Sequence, residues 1–332
     1  MPERRASLWL GVVLVALLGL AGLLAPWLAP HPPDAQYDAA AAGHRPPGTS
    51  LTGLELADGR WVLGDQLERT AEGYRLRRLG ELRTITTAEL APGGGPHRFL
   101  FPLGTDGVGR DLLSRLLHGA RVSLALALLA VALAMTLGVL YGAIAATSKP
   151  WLDNLMMRLV DALLAFPPLL LMLTLAALFR PSSALLALVL GGTGWMEVSR
   201  LVRAQVKGVA ARELITAARA SGLSRWRILT RHLLPNSLTP VFALAPLWVA
   251  NVILAESALS FLGLGIQPPD ASWGTIINDG QEVLVQAWWI AAFPGLAIAL
   301  AVIGWNLIGE ALRELLDPRG GDGRRNMGDA HR

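Results

Sequence analysis

"SLALALLAVALAMTLGVLYGAIAA", Ser123–Ala146, runs 24 residues without a charged side chain. As a helix rising 1.5 Å per residue it is about 36 Å long, more than the roughly 30 Å of a bilayer's hydrocarbon core. Lipid offers no partner for backbone N–H and C=O groups, so such a stretch satisfies them internally as a helix. Its small residues Gly138, Gly142 and Ala143 suit close approach to a neighbouring helix.

The remainder repeats this character. The chain of 332 residues is 53% hydrophobic and only 16% charged, with mean hydropathy +0.45, outside the range of an ordinary soluble domain. Working outward, apolar runs predict spans over Leu8–Ala29, Arg121–Ala146, Leu159–Phe179, Ala184–Val198, Pro240–Phe261 and Ala287–Leu312. Phe166-Pro167-Pro168 removes backbone donors and predicts a kink in the third. Glycines at 191, 192 and 194 make the fourth short and weak. The expected fold is therefore an all-α membrane protein with six transmembrane helices.

Charge sets the expected orientation. Arg4 and Arg5 precede the first span, which is read as retained rather than cleaved because its apolar run exceeds that of a secretory signal. No Lys or Arg occurs between Arg231 and Arg313, whereas 200–232 is arginine-rich. The positive-inside rule then places both termini and the 200–236 loop in the cytoplasm. The expected organisation is 1–30 as N-terminus and first span, 31–119 as an extracytoplasmic loop, 120–312 as the core, and 313–332 as a cytoplasmic tail. Partial period-two alternation around Trp61-Val62-Leu63 and Tyr74-Arg75-Leu76 predicts a small irregular or β-containing insertion in that loop.

Net charge of +4 accompanies no nucleic-acid-binding signature, so nucleic acid is not an expected partner; membrane lipid headgroups are. The chain has no cysteine, and its six histidines form no pair at ligand spacing, so no metal centre is expected. Trp9, Trp27, Trp151, Trp288 and Trp289 lie near predicted span ends, where an aromatic belt belongs.

The cytoplasmic loop is punctuated. Helix formers dominate 208–220, Gly222 is a break, Ser224 is an N-cap, and a second short helix is predicted over Arg225–Leu234, ending before Pro235. Small residues before Gly222 leave room for a partner surface.

This stretch resembles the "EAA" loop of binding-protein-dependent ABC importer permeases, whose pattern is Glu-Ala-Ala, three residues, Gly, and later Leu-Pro. Here it reads Thr216-Ala217-Ala218, Gly222 and Leu234-Pro235. Thr replaces the acidic first residue, and Glu213 is the neighbouring carboxylate. "PLGTDGVGRDLLSRLLHGARVSL" (102–124), "VDALLAFPPLLL" (160–171), "RHLLPN" (231–236) and "ILAESALSFLGLGIQPPDASWG" (253–274) look like the dipeptide, oligopeptide and nickel importers on the DppC/OppC side. Residues 43–98 are longer than that pattern.

The resemblance implies a type I ABC importer transmembrane domain in the bacterial inner membrane. It implies half of a pathway for peptides or related solutes, including nickel chelates. The implied partners are a second OppB/DppB-like permease, two ABC ATPase subunits and an extracytoplasmic solute-binding protein. ATP and Mg would be bound by the ATPases, leaving this chain without cofactor or catalytic residue. The coupling candidates are Glu213, Thr216, Ala217, Ala218, Gly222, Arg225, Leu234 and Pro235. From the residues themselves, Glu256, Phe166, Pro167 and Asp161 are candidates for translocation or gating, Asp161 also lying at i,i+3 from Arg158. Asp106, Arg110 and Asp111 are candidates for outer docking, with local salt bridges as the plainer reading. Two other classes remain open on sequence: an ATP-independent secondary carrier or channel, and a membrane-anchored extracytoplasmic sensor.

Overall fold

A computed structural model of the chain describes residues 2–179, 182–212, 215 and 221–316. Among these, four helices are long and apolar enough to cross a membrane: the stretch Arg5–Leu23 of α1 (Pro2–Leu23), α4 (Leu112–Thr147), α7 (Ser183–Ala210) and α12 (Trp289–Leu316). Two bent pairs raise the number to six if each is one span. The first pair is α5 (Pro150–Leu164) with α6 (Pro168–Leu178), bent by 81°. The second joins the segment Leu229–Phe242 to α10 (Ala245–Phe261), bent by 48°.

The first break follows from proline. Pro168 opens α6 at a position needing no intrahelical donor, and it forces Pro167 into an extended backbone (ψ 122°). The expected kink is thus a full break, and α5 begins at Pro150, nine residues before the predicted start of the third span at Leu159. Beyond Gly222, α8 (Arg225–Ile228) passes through a π-helical turn, Leu229–Leu233, into α9 (Leu234–Phe242). Pro235 therefore does not end a helix. The Leu234 N–H reaches the Leu229 carbonyl five residues back, and this wider turn makes room for the proline ring.

By backbone contacts the chain divides into two compact units. The first comprises residues 1–16, 125–256 and 300–332. In it α7 is longer than expected: it starts at an N-cap where Ser182 Oγ accepts from Leu185 N (3.1 Å) and continues through its glycines to Ala210. Small residues here make contact surface instead of a stop. A Cβ on Gly138 would fall 2.5 Å from Val198 Cβ, and one on Gly142 2.5 Å from the Ser199 carbonyl oxygen, so α4 and α7 cross at backbone distance. Tyr141 Oη donates to the Met156 carbonyl (3.0 Å), joining α4 to α5.

The second unit comprises residues 17–124 and 257–299. Short helices α2 (Ala25–Leu28) and α3 (Ala39–Ala42) precede six strands: β1 (Thr49–Glu55), β2 (Trp61–Gly64), β3 (Gln66–Thr70), β4 (Gly73–Arg78), β5 (Glu81–Thr86) and β6 (His97–Phe101). They form two antiparallel sheets, ordered β2-β1-β6 and β3-β4-β5. Leu54, Leu56 and Val62 share a buried cluster with Leu76, Ile85 and Leu90, so one apolar core serves both. Asp38 ties the assembly together: it caps α3 through Ala41 N (3.1 Å), accepts from Leu63 N (3.1 Å), and takes both arms of Arg78 (3.0 and 2.8 Å).

The stretch after Phe261, expected to be a loop, contains helix α11 (Trp273–Gly280), started by a capping box between Ser272 and Thr275. Trp273 is fully buried, its indole N–H donating to the Leu116 carbonyl (3.2 Å). Trp289 is buried too, donating to the Thr105 carbonyl (3.3 Å), and so leaves the expected belt; Trp9, Trp27, Trp151 and Trp288 remain exposed.

Candidate translocation cavity and coupling segment

A cavity of about 210 Å³ lies in the first unit. On α7, Leu190, Thr193, Gly194 and Glu197 recur at three- and four-residue spacing and present one face to it. On α10, Trp248, Asn251, Val252 and Ala255 do the same. Phe166, Leu163 and Leu164 close it at the proline break, and Val131 and Ala134 contribute from α4. Its wall is apolar except for Thr193, Glu197 and Asn251. The Thr193 hydroxyl donates back to the Val189 carbonyl (2.8 Å), leaving a carboxylate and an amide as the groups free to turn toward a guest.

The sequence candidates distribute unevenly around this cavity. Phe166 lines it, and Pro167 shapes the break beside it. Glu256 is fully buried and does not line it, although its helix neighbours Asn251, Val252 and Ala255 do. Asp161 is exposed, and its ionic partner is Arg200 at 3.6 Å, across to α7, rather than Arg158 on its own helix. Glu197 and Asn251 were missed by reading the sequence. The available signal was a carboxylate in the middle of what proves to be a 28-residue apolar helix, and shortening that span at its glycines put Glu197 at an end, where a charge needs no explanation.

Further along α7, Asp153 of α5 receives Arg203 through two hydrogen bonds (2.5 and 2.7 Å) and also pairs with Lys207. These two cations, assigned from sequence to the cytoplasmic loop, belong to a helix and are neutralised within the protein.

The coupling segment is described in part. Glu213, Thr216, Ala217 and Ala218 lie outside the described residues, as does the side chain of Arg225. Gly222 has φ +77°, the left-handed region in which a Cβ is penalised. Ser224 Oγ accepts from Arg227 N (3.3 Å), the N-cap expected there. Leu234 and Pro235 stand at the start of α9. Nearby, a cleft of about 800 Å³ is bordered by Gln205 and Arg212, by Asn236 and Thr239, and by Arg313. It is wide and polar-edged, with cations on two sides.

Two of the three outer candidates, the acids, are internal. Asp106 and Asp111 are fully buried. Asp106 accepts from Arg110 (2.6 Å) and Arg115 (2.6 Å), and both arginines reach Asp279 of α11 (3.0 and 2.8 Å). Asp111 accepts from Ser114 N (2.9 Å) and from its hydroxyl (2.5 Å). Asp106, through its two arginines, ties the start of α4 to α11, and Asp111 caps the first turn of α4.

Two family models match this chain: the binding-protein-dependent transport system inner membrane component over residues 138–320, more than half of it, and the N-terminal TM domain of oligopeptide transport permease C over residues 4–47. The chain belongs to the binding-protein-dependent inner-membrane transport family. The permease is 36% identical over 316 residues, 95% of its length and 89% of the relative's, to a Brucella suis biovar 1 protein named as a peptide transport system permease. It is 41% identical to the di/tripeptide transport system permease protein DppC of Pseudomonas aeruginosa, over 68% of its own chain and 74% of that one. A dipeptide transport system permease, DppC, of Alkalihalophilus pseudofirmus is 41% identical over 65% and 72%. Among solved structures, an inward-facing form of the MetNI methionine ABC transporter aligns with TM-score 0.48 at 16% identity, covering 59% of this chain and 95% of that one. An amino acid ABC transporter with histidines aligns with TM-score 0.49 at 13% identity, covering 60% and 94%.

The permease is thus the membrane subunit of an ABC importer, in a family whose members work with ATPase and binding-protein partners. That membership displaces the secondary-carrier and sensor readings left open by the sequence.

Proposed function

We propose that this permease forms half of an inner-membrane pathway for peptides or chemically related small solutes, nickel chelates included, pairing with a second permease of the OppB/DppB type. Four long apolar helices and two bent pairs support six crossings and a type I arrangement with each pair as one span. The lack of Lys and Arg between Arg231 and Arg313 supports cytoplasmic termini, with the strand-rich segment outside.

The single observation that carries the mechanism is the left-handed Gly222 followed at once by a capped helix that runs on, through a π turn, into the α9–α10 span. A push delivered by an ATPase at 212–224 would pass along a continuous helical lever to the bend at residues 243–244, and α10 carries one wall of the cavity. ATP and Mg belong to the two ATPase subunits in this reading. A loaded extracytoplasmic binding protein supplies cargo, and this chain hydrolyses nothing.

The test is co-expression with the neighbouring transport subunits, purification, and reconstitution with the binding protein and a labelled dipeptide. Two ATPase chains should co-purify, and uptake should require ATP. Recovery of the permease alone, or uptake without ATP, overturns the reading; uptake of a nickel chelate in place of dipeptide revises the cargo only.

A further inference from the structure

We infer that Glu197, with Asn251 lining the same cavity, is a station for the primary ammonium group of the cargo, such as the amino terminus of a peptide. This rests on the peptide reading above and deepens it.

Glu197 lies about 21 Å along α7 from Ser183, inside an apolar span, where an ionised carboxylate is costly unless something compensates it. The cations of the same helix do not. Arg200 is held by Asp161, and Arg203 and Lys207 are both held by Asp153. Every positive side chain of α7 is thus matched to an acid of α5, and Glu197 is left over. Among the described residues no hydrogen bond or ion pair engages its carboxylate, which is exposed and lines the cavity.

The surroundings select the guest. One carboxylate and one amide carbonyl offer too few oxygens for a hard divalent cation, which takes six or more. They suit the three donors of an ammonium. The remaining walls, Trp248, Leu190, Val131 and Phe166 among them, are apolar and suit the side chain next to that ammonium. Capacity agrees: a cavity of about 150 Å³ holds benzene, so about 210 Å³ admits one amine with an adjoining side chain, not a whole peptide. The cargo would pass residue by residue.

The test uses the assembled importer in proteoliposomes with its binding protein and labelled dialanine, comparing wild type, Glu197→Gln and Glu197→Asp. Maximum uptake at saturating loaded binding protein should fall about tenfold in Glu197→Gln, with at least half retained in Glu197→Asp. The half-saturating concentration of loaded binding protein, the yield of complex and its thermal midpoint should not move. Unchanged uptake in Glu197→Gln overturns the inference. So does a loss of uptake that tracks lower yield or midpoint, which would make Glu197 the partner of a cation on the second permease. If the wild-type complex carries no dipeptide at all, the peptide reading itself fails and this inference falls with it.

Discussion

Arg203 grips Asp153 with a two-pronged hydrogen bond, Nε to Oδ1 at 2.5 Å and Nη2 to Oδ2 at 2.7 Å, and so fixes the end of α7 to α5. The carboxylate is nearly buried, at 5% exposure, while Arg203 is 27% exposed. Removing one member of a buried pair costs about 3–5 kcal/mol, but partial exposure of the cations screens this. Asp153→Ala should therefore destabilise the purified complex by about 2 kcal/mol, seen as a fall of several degrees in its thermal midpoint. Asp161→Ala, which breaks the exposed pair with Arg200, should change it by less than about 0.5 kcal/mol. Equal effects would mean that the Asp153 fork holds nothing in place.

Gly222 supplies a backbone conformation that an L side chain adopts at a cost of about 1–2 kcal/mol, although no neighbouring atom lies within 4 Å of where its Cβ would be. The penalty is conformational, not steric. Gly222→Arg should leave membrane insertion intact and uncouple ATP hydrolysis from uptake, while Gly222→Asn, which tolerates this region, should keep most transport. Uptake at the wild-type level in Gly222→Arg would remove the elbow from the mechanism.

The crossing of α4 and α7 leaves no space at Gly138, where a Cβ would sit 2.5 Å from Val198 Cβ. Gly138→Leu should cost about 3 kcal/mol or more through overpacking and lower the yield of folded complex. Gly208→Ala, at a position with nothing within 4 Å, should be neutral or mildly stabilising through helix propensity. Detergent-solubilised yield and thermal midpoint report both. A tolerated leucine at 138 would show that the helices separate there.

Asp38 links α3, β2 and β4. Burial by itself pushes its carboxyl pKa up, but the hydrogen bonds from Arg78, Leu63 N and Ala41 N outweigh it and hold the group below the ordinary carboxylate range. With the folded pKa depressed, the unfolded chain takes up the proton first. The stabilisation is complete above the unfolded value, about 3.9, and is lost as pH falls through the folded value. Hydrogen-exchange protection of residues 61–64 and 73–78 in the full complex, corrected for the intrinsic pH dependence of amide exchange, should be high at neutral pH and fall below about pH 4. Asp38→Asn should be less protected at neutral pH and lose that acid step; a mutant profile parallel to wild type would acquit Asp38.

Much of this architecture was legible in the chain. Ser123–Ala146 could be nothing but a spanning helix, because its length and lack of charge admit one solution in lipid. Gly138 and Gly142 announced a close crossing, Gly222 a break and Ser224 a cap, since each is a local steric or hydrogen-bonding requirement written in one residue. The strands around Trp61 and Tyr74 were visible as alternation.

Other features depend on what stands opposite, and only the tertiary structure decided them. The glycines at 191, 192 and 194 weaken a helix in isolation, yet α7 runs straight through them because Gly191 packs against the Ala130 carbonyl of α4. Arg203 and Lys207 looked like loop charges until Asp153, fifty residues away, claimed them. Asp106 looked like a surface acid until α11 brought Asp279 to share its arginines. Period and composition settle which segments are helices, because those are properties of consecutive residues. Pairing settles which charge is spent and which, as at Glu197, is left over, and that is a property of residues the chain holds far apart.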